Sequence, residues 1–105
     1  MKLDITLILD SEKEKSALIV ISRLNKIISA GSPTFESYHK GGTRALLVKD
    51  LPELGWADAY LASVSIAQSF GHSWTLLGRA QEELNLVGNE FRIAGIEWAE
   101  LSLIR

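Results

Sequence analysis

The spacing of apolar residues changes once within the first thirty positions, and this change constrains the fold more than any other feature of the chain. The odd-numbered positions from Leu3 to Leu9 are apolar and alternate with polar residues, apart from Ile8. Such a period of two is typical of a strand with one buried face. Apolar residues then recur at helical spacing, at Ala17, Val20, Ile21, Leu24, Ile27 and Ile28. A strand followed directly by an amphipathic helix predicts a chain of mixed structure.

Short motifs predict where this first helix, over about 12–30, begins and ends. Ser11 and Glu14 have the spacing of a capping box, in which each side chain accepts a hydrogen bond from the other residue's free backbone N–H. Gly31 can adopt the left-handed conformation of a C-terminal cap, and Pro33 prevents the helix from continuing.

The middle of the chain predicts a hairpin and a second helix. Strand-like segments at 34–39 and 44–49 flank Lys40-Gly41-Gly42-Thr43, whose glycines supply the positive φ values of a tight turn. Cations surround this turn, but it leads into a strand, so we expect a plain hairpin and not a phosphate loop. A helix over 56–70, capped by Gly71, follows.

This second helix has an unusual composition, because Asp58 is its only charge. Its expected apolar face comprises Trp56, Ala57, Tyr60, Leu61, Val64 and Ala67. The remaining positions are mostly alanine and serine. A surface helix normally carries a charged face. We therefore expect it to be covered on most sides, or to meet another chain through its Ala/Ser-rich face.

The last third of the chain predicts three strands, at 73–79, 82–87 and 93–104, with a turn at Gly88-Asn89-Glu90. The order of elements predicts an α+β fold: an antiparallel or mixed sheet with both helices packed on one face, containing a ferredoxin-like core with an added C-terminal hairpin. A chain of 105 residues has room for one core of ordinary size, so we expect residues 1–105 to form a single α+β domain.

Composition argues against several functional classes. The chain has no cysteine and two histidines, so we expect no metal and no cofactor. No apolar run is long enough to span a membrane, and Asp4 interrupts what would be the core of a signal peptide. We therefore expect a cytoplasmic protein with no membrane contact. No residues form a recognisable catalytic set: His39 and His72 are interpreted as ordinary loop or strand-edge histidines, and we expect no enzyme activity.

Charge is distributed unevenly along the chain, whose net charge is −2. Residues 1–49 hold eight basic and five acidic residues, whereas residues 50–105 hold three basic and eight acidic ones. Nucleic-acid-binding domains usually carry a basic footprint, so we expect no direct nucleic-acid binding. An acidic half can steer a basic partner. The alternative is that the charge serves solubility alone.

The last strand supplies the best candidate for a binding residue. Trp98 and Glu100 share a strand face unless a bulge intervenes. Tryptophan is enriched at interface hot spots, so Trp98 is interpreted either as an interface anchor or as a core residue. Trp74 is expected in the core, and Trp56 fits either environment. The candidate partner-binding residues are Asp58, Glu82, Glu83, Glu97, Trp98 and Glu100.

A short acidic α+β chain with interleaved acids and tryptophans resembles the immunity proteins of bacterial contact-dependent growth inhibition and other polymorphic toxin systems. The residues concerned are Asp50, Glu53, Asp58, Glu82, Glu83, Glu90, Glu97 and Glu100, with Trp56 and Trp98. The resemblance implies a tight complex with one cognate toxin, often a basic nuclease. It transfers no individual residue role. The alternative is a small ligand-binding or regulatory module of ferredoxin-like type, forming a homodimer through the Ala/Ser-rich helix.

Overall fold

The computed structural model describes residues 1–52, 55–79 and 81–104. Within these residues the chain forms two helices and eight strands. They are β1 (Lys2–Leu9), α1 (Glu14–Ile28), β2 (Thr34–Ser37), β3 (Thr43–Asp50), α2 (Trp56–Phe70), β4 (Gly71–His72), β5 (Thr75–Leu77), β6 (Glu83–Gly88), β7 (Glu90–Phe91) and β8 (Ile96–Ile104).

Six of these strands form one antiparallel sheet in the order β2-β3-β1-β8-β6-β5, and β4 pairs with β7 separately. The predicted α+β class and antiparallel sheet are confirmed. Both helices contribute to the hydrophobic core that covers one sheet face. The order β2-β3-β1-β8, with two helices on one face, is the ferredoxin-like arrangement.

The strand that completes the ferredoxin-like arrangement differs from the expected one. The sequence suggested that the first strand after α2 would complete it, whereas the structure places β8 beside β1 and adds β5 and β6 beyond β8. The reason lies in length and burial. The nine residues of β8 match the eight of β1 and bury Ala99, Leu101 and Leu103 completely, whereas all three residues of β5 are exposed. The extra hairpin is therefore an insertion and not a C-terminal addition.

The first helix has its predicted span, but different residues cap it. The expected capping box does not form: Lys13 is the N-cap, and Ser11 Oγ accepts a hydrogen bond from the Lys13 backbone N–H at 3.2 Å. The C-cap is Ser29, with a left-handed φ of 52°, and Gly31, the expected cap, also has a positive φ, of 79°. The Asn25 side chain accepts a hydrogen bond from the Ala30 N–H at 2.8 Å, which satisfies a donor at this end.

The second helix has the predicted bounds, but its most buried face is rotated from the expected apolar face and overlaps it at Ala67. Its buried residues are Ala59, Ser63, Ala67 and Phe70, whereas Leu61 is 65% exposed. Small side chains allow the helix to lie close to the sheet, and the Ser63 hydroxyl donates to the Ala59 carbonyl at 2.8 Å, so no polar group is left unsatisfied there. Gly71 is the C-terminal cap, as expected, and has an extended conformation.

An aromatic cluster closes the end of the core beside β4 and β7. Phe70 stacks on Phe91, and Trp74 lies edge-on to both rings. Trp74 is half-buried, and its indole N–H donates to the Ala67 carbonyl at 3.1 Å. The predicted turn at Gly88-Asn89-Glu90 is instead the exit from β6 into β7. The chain enters β8 after Gly95, whose φ is 100°.

Candidate functional site

The two faces of the six-stranded sheet have different coverings. Residues from Leu3 to Leu9 at odd positions point into the core with both helices. The even positions of β1 and their cross-strand neighbours form the opposite face, which we call the open face because no described helix covers it. Several apolar side chains remain exposed there, including Leu46 and Val48 of β3.

A groove of about 650 Å³ lies on the open face. Its floor and walls come from two rows of residues that run across β3, β1 and β8. The strand register gives these rows as Arg44, Ile8 and Trp98, then Leu46, Thr6 and Glu100. The remaining lining residues are Glu36, Tyr38, Lys40, Gly41 and Glu97.

A β-bulge in β8 shapes one wall of the groove. Ile8 pairs with Trp98, but the next residue, Leu9, pairs with Ile96, so Glu97 is an extra residue in the ladder. Such bulges redirect side chains and are frequent beside functional sites. Glu97 consequently lines the groove together with Trp98 and Glu100, while Ile96 turns into the core.

The structure excludes one of the two interpretations of Trp98, that of a residue in the helix-covered core. This residue shares the open face with Glu100 and is half-buried, so it lies outside the helix-covered core. Its cross-strand neighbour Ile8 is only 7% exposed, although it too is on the open face. Trp98 therefore presents part of its ring to solvent above an apolar floor.

The β2–β3 turn forms the other end of the groove and confirms the expected hairpin. Tyr38 and Gly41 are joined by a backbone hydrogen bond of 2.9 Å. Gly42 has a φ of 91°, and a Cβ atom there would lie 2.2 Å from the Leu9 carbonyl oxygen. The turn is thus packed tightly against the end of β1, and it holds Tyr38 and Lys40 beside the groove.

Charges on the two sides of the groove differ. On the β2–β3 side, the Arg44 guanidinium is paired with the Glu36 carboxylate. On the β8 side, Glu97 and Glu100 form no ion pair with any residue in 1–52, 55–79 or 81–104. Among the described residues, the β8 wall therefore carries two carboxylates without an ion-pair partner next to an indole ring.

The structure brings together only three of the six predicted binding residues: Glu97, Trp98 and Glu100. Glu83 is on β6, opposite Ile104 and away from the groove. Glu82 precedes β6 and pairs with Arg79 at 3.6 Å, and Asp58 is exposed on α2 in the helix layer. Glu53 lies outside the described residues.

Sequence reasoning missed the residues that complete the groove, notably Ile8, Tyr38 and Arg44. One signal was present for Ile8, because it is the apolar exception in the alternation of β1 and forms the groove floor. Tyr38 and Arg44 line the same groove as Trp98 only because distant strands pair, and local sequence patterns do not reveal such pairing.

A second groove, of about 530 Å³, lies between α2 and β5 and is more apolar. Trp56 and Tyr60 line it with an edge-to-face contact of 6.3 Å between ring centroids. Leu61, Leu76 and Leu77 leave more than half of their surface exposed around it. These leucines form an apolar surface patch distinct from the open face.

The histidines occupy ordinary surface positions. His72 Nε2 is 2.9 Å from a Glu90 carboxylate oxygen, and the His39 ring lies against Tyr38. In the described part of the chain, no three His, Cys, Asp or Glu side chains are grouped as metal ligands. None of the described helices is long and apolar enough to cross a membrane.

Fold and groove together define an α+β protein with a ferredoxin-like strand order, an inserted edge hairpin and an open sheet face that carries a charged groove. Comparison with protein-family models, with curated proteins and with solved structures found no match to this chain.

Proposed function

We propose that this chain is a protein-binding inhibitor that acts as an immunity protein, neutralising a basic toxin in the cytoplasm, with a nuclease as the expected target. The observation that carries the proposal is the β8 wall of the groove, where Glu97 and Glu100 flank the half-buried Trp98 and pair with no cation in the described part of the chain. Its role is binding and not catalysis. The binding surface is narrower than the acidic half of the sequence suggested.

The wall combines the two components that tight protein recognition uses. Burial of a partly exposed tryptophan supplies affinity, since such residues dominate interface hot spots. Carboxylates without partners attract a basic surface and raise the association rate. Leu46 and Val48 extend the apolar area on the same face, so a partner would cover a surface wider than the groove itself.

The groove also supports a second candidate, a small ligand-binding module. Its volume lies within the roughly 300–1,000 Å³ typical of ligand pockets, and Tyr38 and Trp98 supply aromatic walls. The Ala/Ser-rich face of α2, through which a homodimer is envisaged, has a smaller free surface than expected, because Ala59 and Ser63 are buried in the chain's own core. Self-association would need another surface, such as the leucine patch.

The test is to mix the purified protein with a basic nuclease toxin encoded beside it, and to measure complex formation by calorimetry and nuclease cleavage in parallel. We expect a complex at or below micromolar concentration and loss of cleavage. Absence of a complex together with undiminished cleavage would reject the inhibitor function, and a monomer that binds a small metabolite in the groove would favour the second candidate.

A matched pair of variants locates the binding surface. Glu97→Lys combined with Glu100→Lys changes the net charge by the same amount as Asp58→Lys combined with Glu82→Lys. We expect the first pair to slow association and to flatten its salt dependence, and the second pair to have a much smaller effect. Equal effects would show that overall charge, and not the groove, drives binding.

A further inference from the structure

We infer that the groove receives one arginine side chain of the partner protein, with its guanidinium over the Trp98 indole and between the Glu97 and Glu100 carboxylates. This inference rests on the proposed function and adds to it the chemical group that the site recognises.

The position of the acids around the indole favours a planar cation. Trp98 and Glu100 are successive residues on the open face, about 7 Å apart along the strand. The bulge adds Glu97 on the other side of Trp98. A guanidinium stacks on an aromatic face and donates from several N–H groups at its edge, whereas an ammonium is a compact and more strongly hydrated charge. Arginine therefore fits this wall better than lysine.

The opposite wall explains why the cation would bind at β8. Arg44 is two strands from Trp98, about 10 Å away, and its charge is already compensated by Glu36. Lys40 lies in the exposed turn. An anion would instead be drawn to Lys40, so the two kinds of ligand would occupy opposite ends of the groove.

A titration of the full chain with N-acetyl-arginine amide, followed by NMR, tests the inference directly. We expect the Trp98 indole N–H and the Glu97 and Glu100 amides to shift, with a dissociation constant on the order of millimolar for so small a probe. The matching citrulline derivative, which has nearly the same shape without the charge, should not bind. Equal shifts with citrulline, or no shift with arginine, would overturn the inference.

Variants and a second probe complete the design. Glu97→Gln with Glu100→Gln should weaken arginine binding at least about tenfold, whereas Asp58→Asn with Glu82→Gln should leave it unchanged. Inorganic phosphate that shifts Gly41 in the absence of any arginine response would identify an anion site instead. A toxin complex that forms without arginine binding in the groove would contradict this inference alone. Arginine binding without toxin inhibition would contradict the proposed function alone.

Discussion

The helix-covered face and the open face of the sheet come from alternate residues of the same strands, yet their chemistry differs. In β8, Ala99, Leu101 and Leu103 are fully buried beneath the helices, whereas Trp98 and Glu100 face the groove. The first set stabilises the fold through burial. The second set contributes less to stability and is available for recognition. Because side chains alternate along a strand, β8 contributes to the buried core on one face and to the groove on the other.

The largest expected effect comes from the covered face. Leu101→Ala should lower the free energy of unfolding by about 2–5 kcal/mol, because Leu101 is fully buried and the substitution leaves a cavity. Glu100→Ala, one residue away on the open face, should change it by no more than about 0.5 kcal/mol. Urea denaturation measures both. Similar losses for the two variants would mean that the open face is also part of the stabilising core.

The turn at the end of the groove offers a second test. Gly42→Ala should cost about 1–3 kcal/mol, because the backbone φ is positive and the new Cβ would meet the Leu9 carbonyl oxygen. Gly31→Ala provides the control, since φ is also positive there but no atom lies within 4 Å. We expect a smaller loss at Gly31 by thermal unfolding, and an equal loss would show that steric contact with β1 is unimportant.

The burial of Ala59 and Ser63 in α2 leads to a third prediction. Ser63→Leu should destabilise the protein by about 1–3 kcal/mol through overpacking of a fully buried site. Ser65→Leu, on the exposed side of the same helix, should change stability by about 0.5 kcal/mol or less. If Ser65→Leu proved the more damaging variant, the face assignment of α2 would be wrong.

Trp98→Ala separates stability from recognition most sharply. We expect a stability loss of about 1–2 kcal/mol, smaller than for Leu101→Ala, because the indole is only partly buried. With a toxin partner, the same variant should mainly accelerate dissociation, measured by surface plasmon resonance. A large stability loss with an unchanged rate of dissociation from the toxin would mean that Trp98 has a structural role.

Local patterns in the sequence predicted local structure well. They predicted the ends of α1 to within two residues, both bounds of α2, and the β2–β3 hairpin. These predictions succeeded because helical periodicity and glycine turns depend on residues that are close in sequence. The predicted buried face of α2 was only partly right, because side-chain size, and not hydrophobicity alone, determines which side of the helix lies closest to the sheet. Ala59 and Ser63 permit an approach that Leu61 would obstruct.

The groove was only partly predictable for a related reason. Glu97, Trp98 and Glu100 are adjacent in sequence, so their shared role could be suggested from one segment. Arg44 and Ile8 join them through strand pairing between positions more than thirty residues apart. The bulge that adds Glu97 is a mismatch between two strands, and neither strand's own pattern reveals it.

The place of β8 in the sheet has a consequence for biosynthesis. Leu3 pairs with Leu103, so β1 is synthesised about a hundred residues before the strand that pairs with it. Pairings so distant in sequence slow folding, and an exposed, hydrophobic strand edge is prone to aggregation until its partner strand has been synthesised. A nascent chain halted before residue 96 would leave β1 with one bare edge, and chaperones that shield extended apolar segments should bind it there.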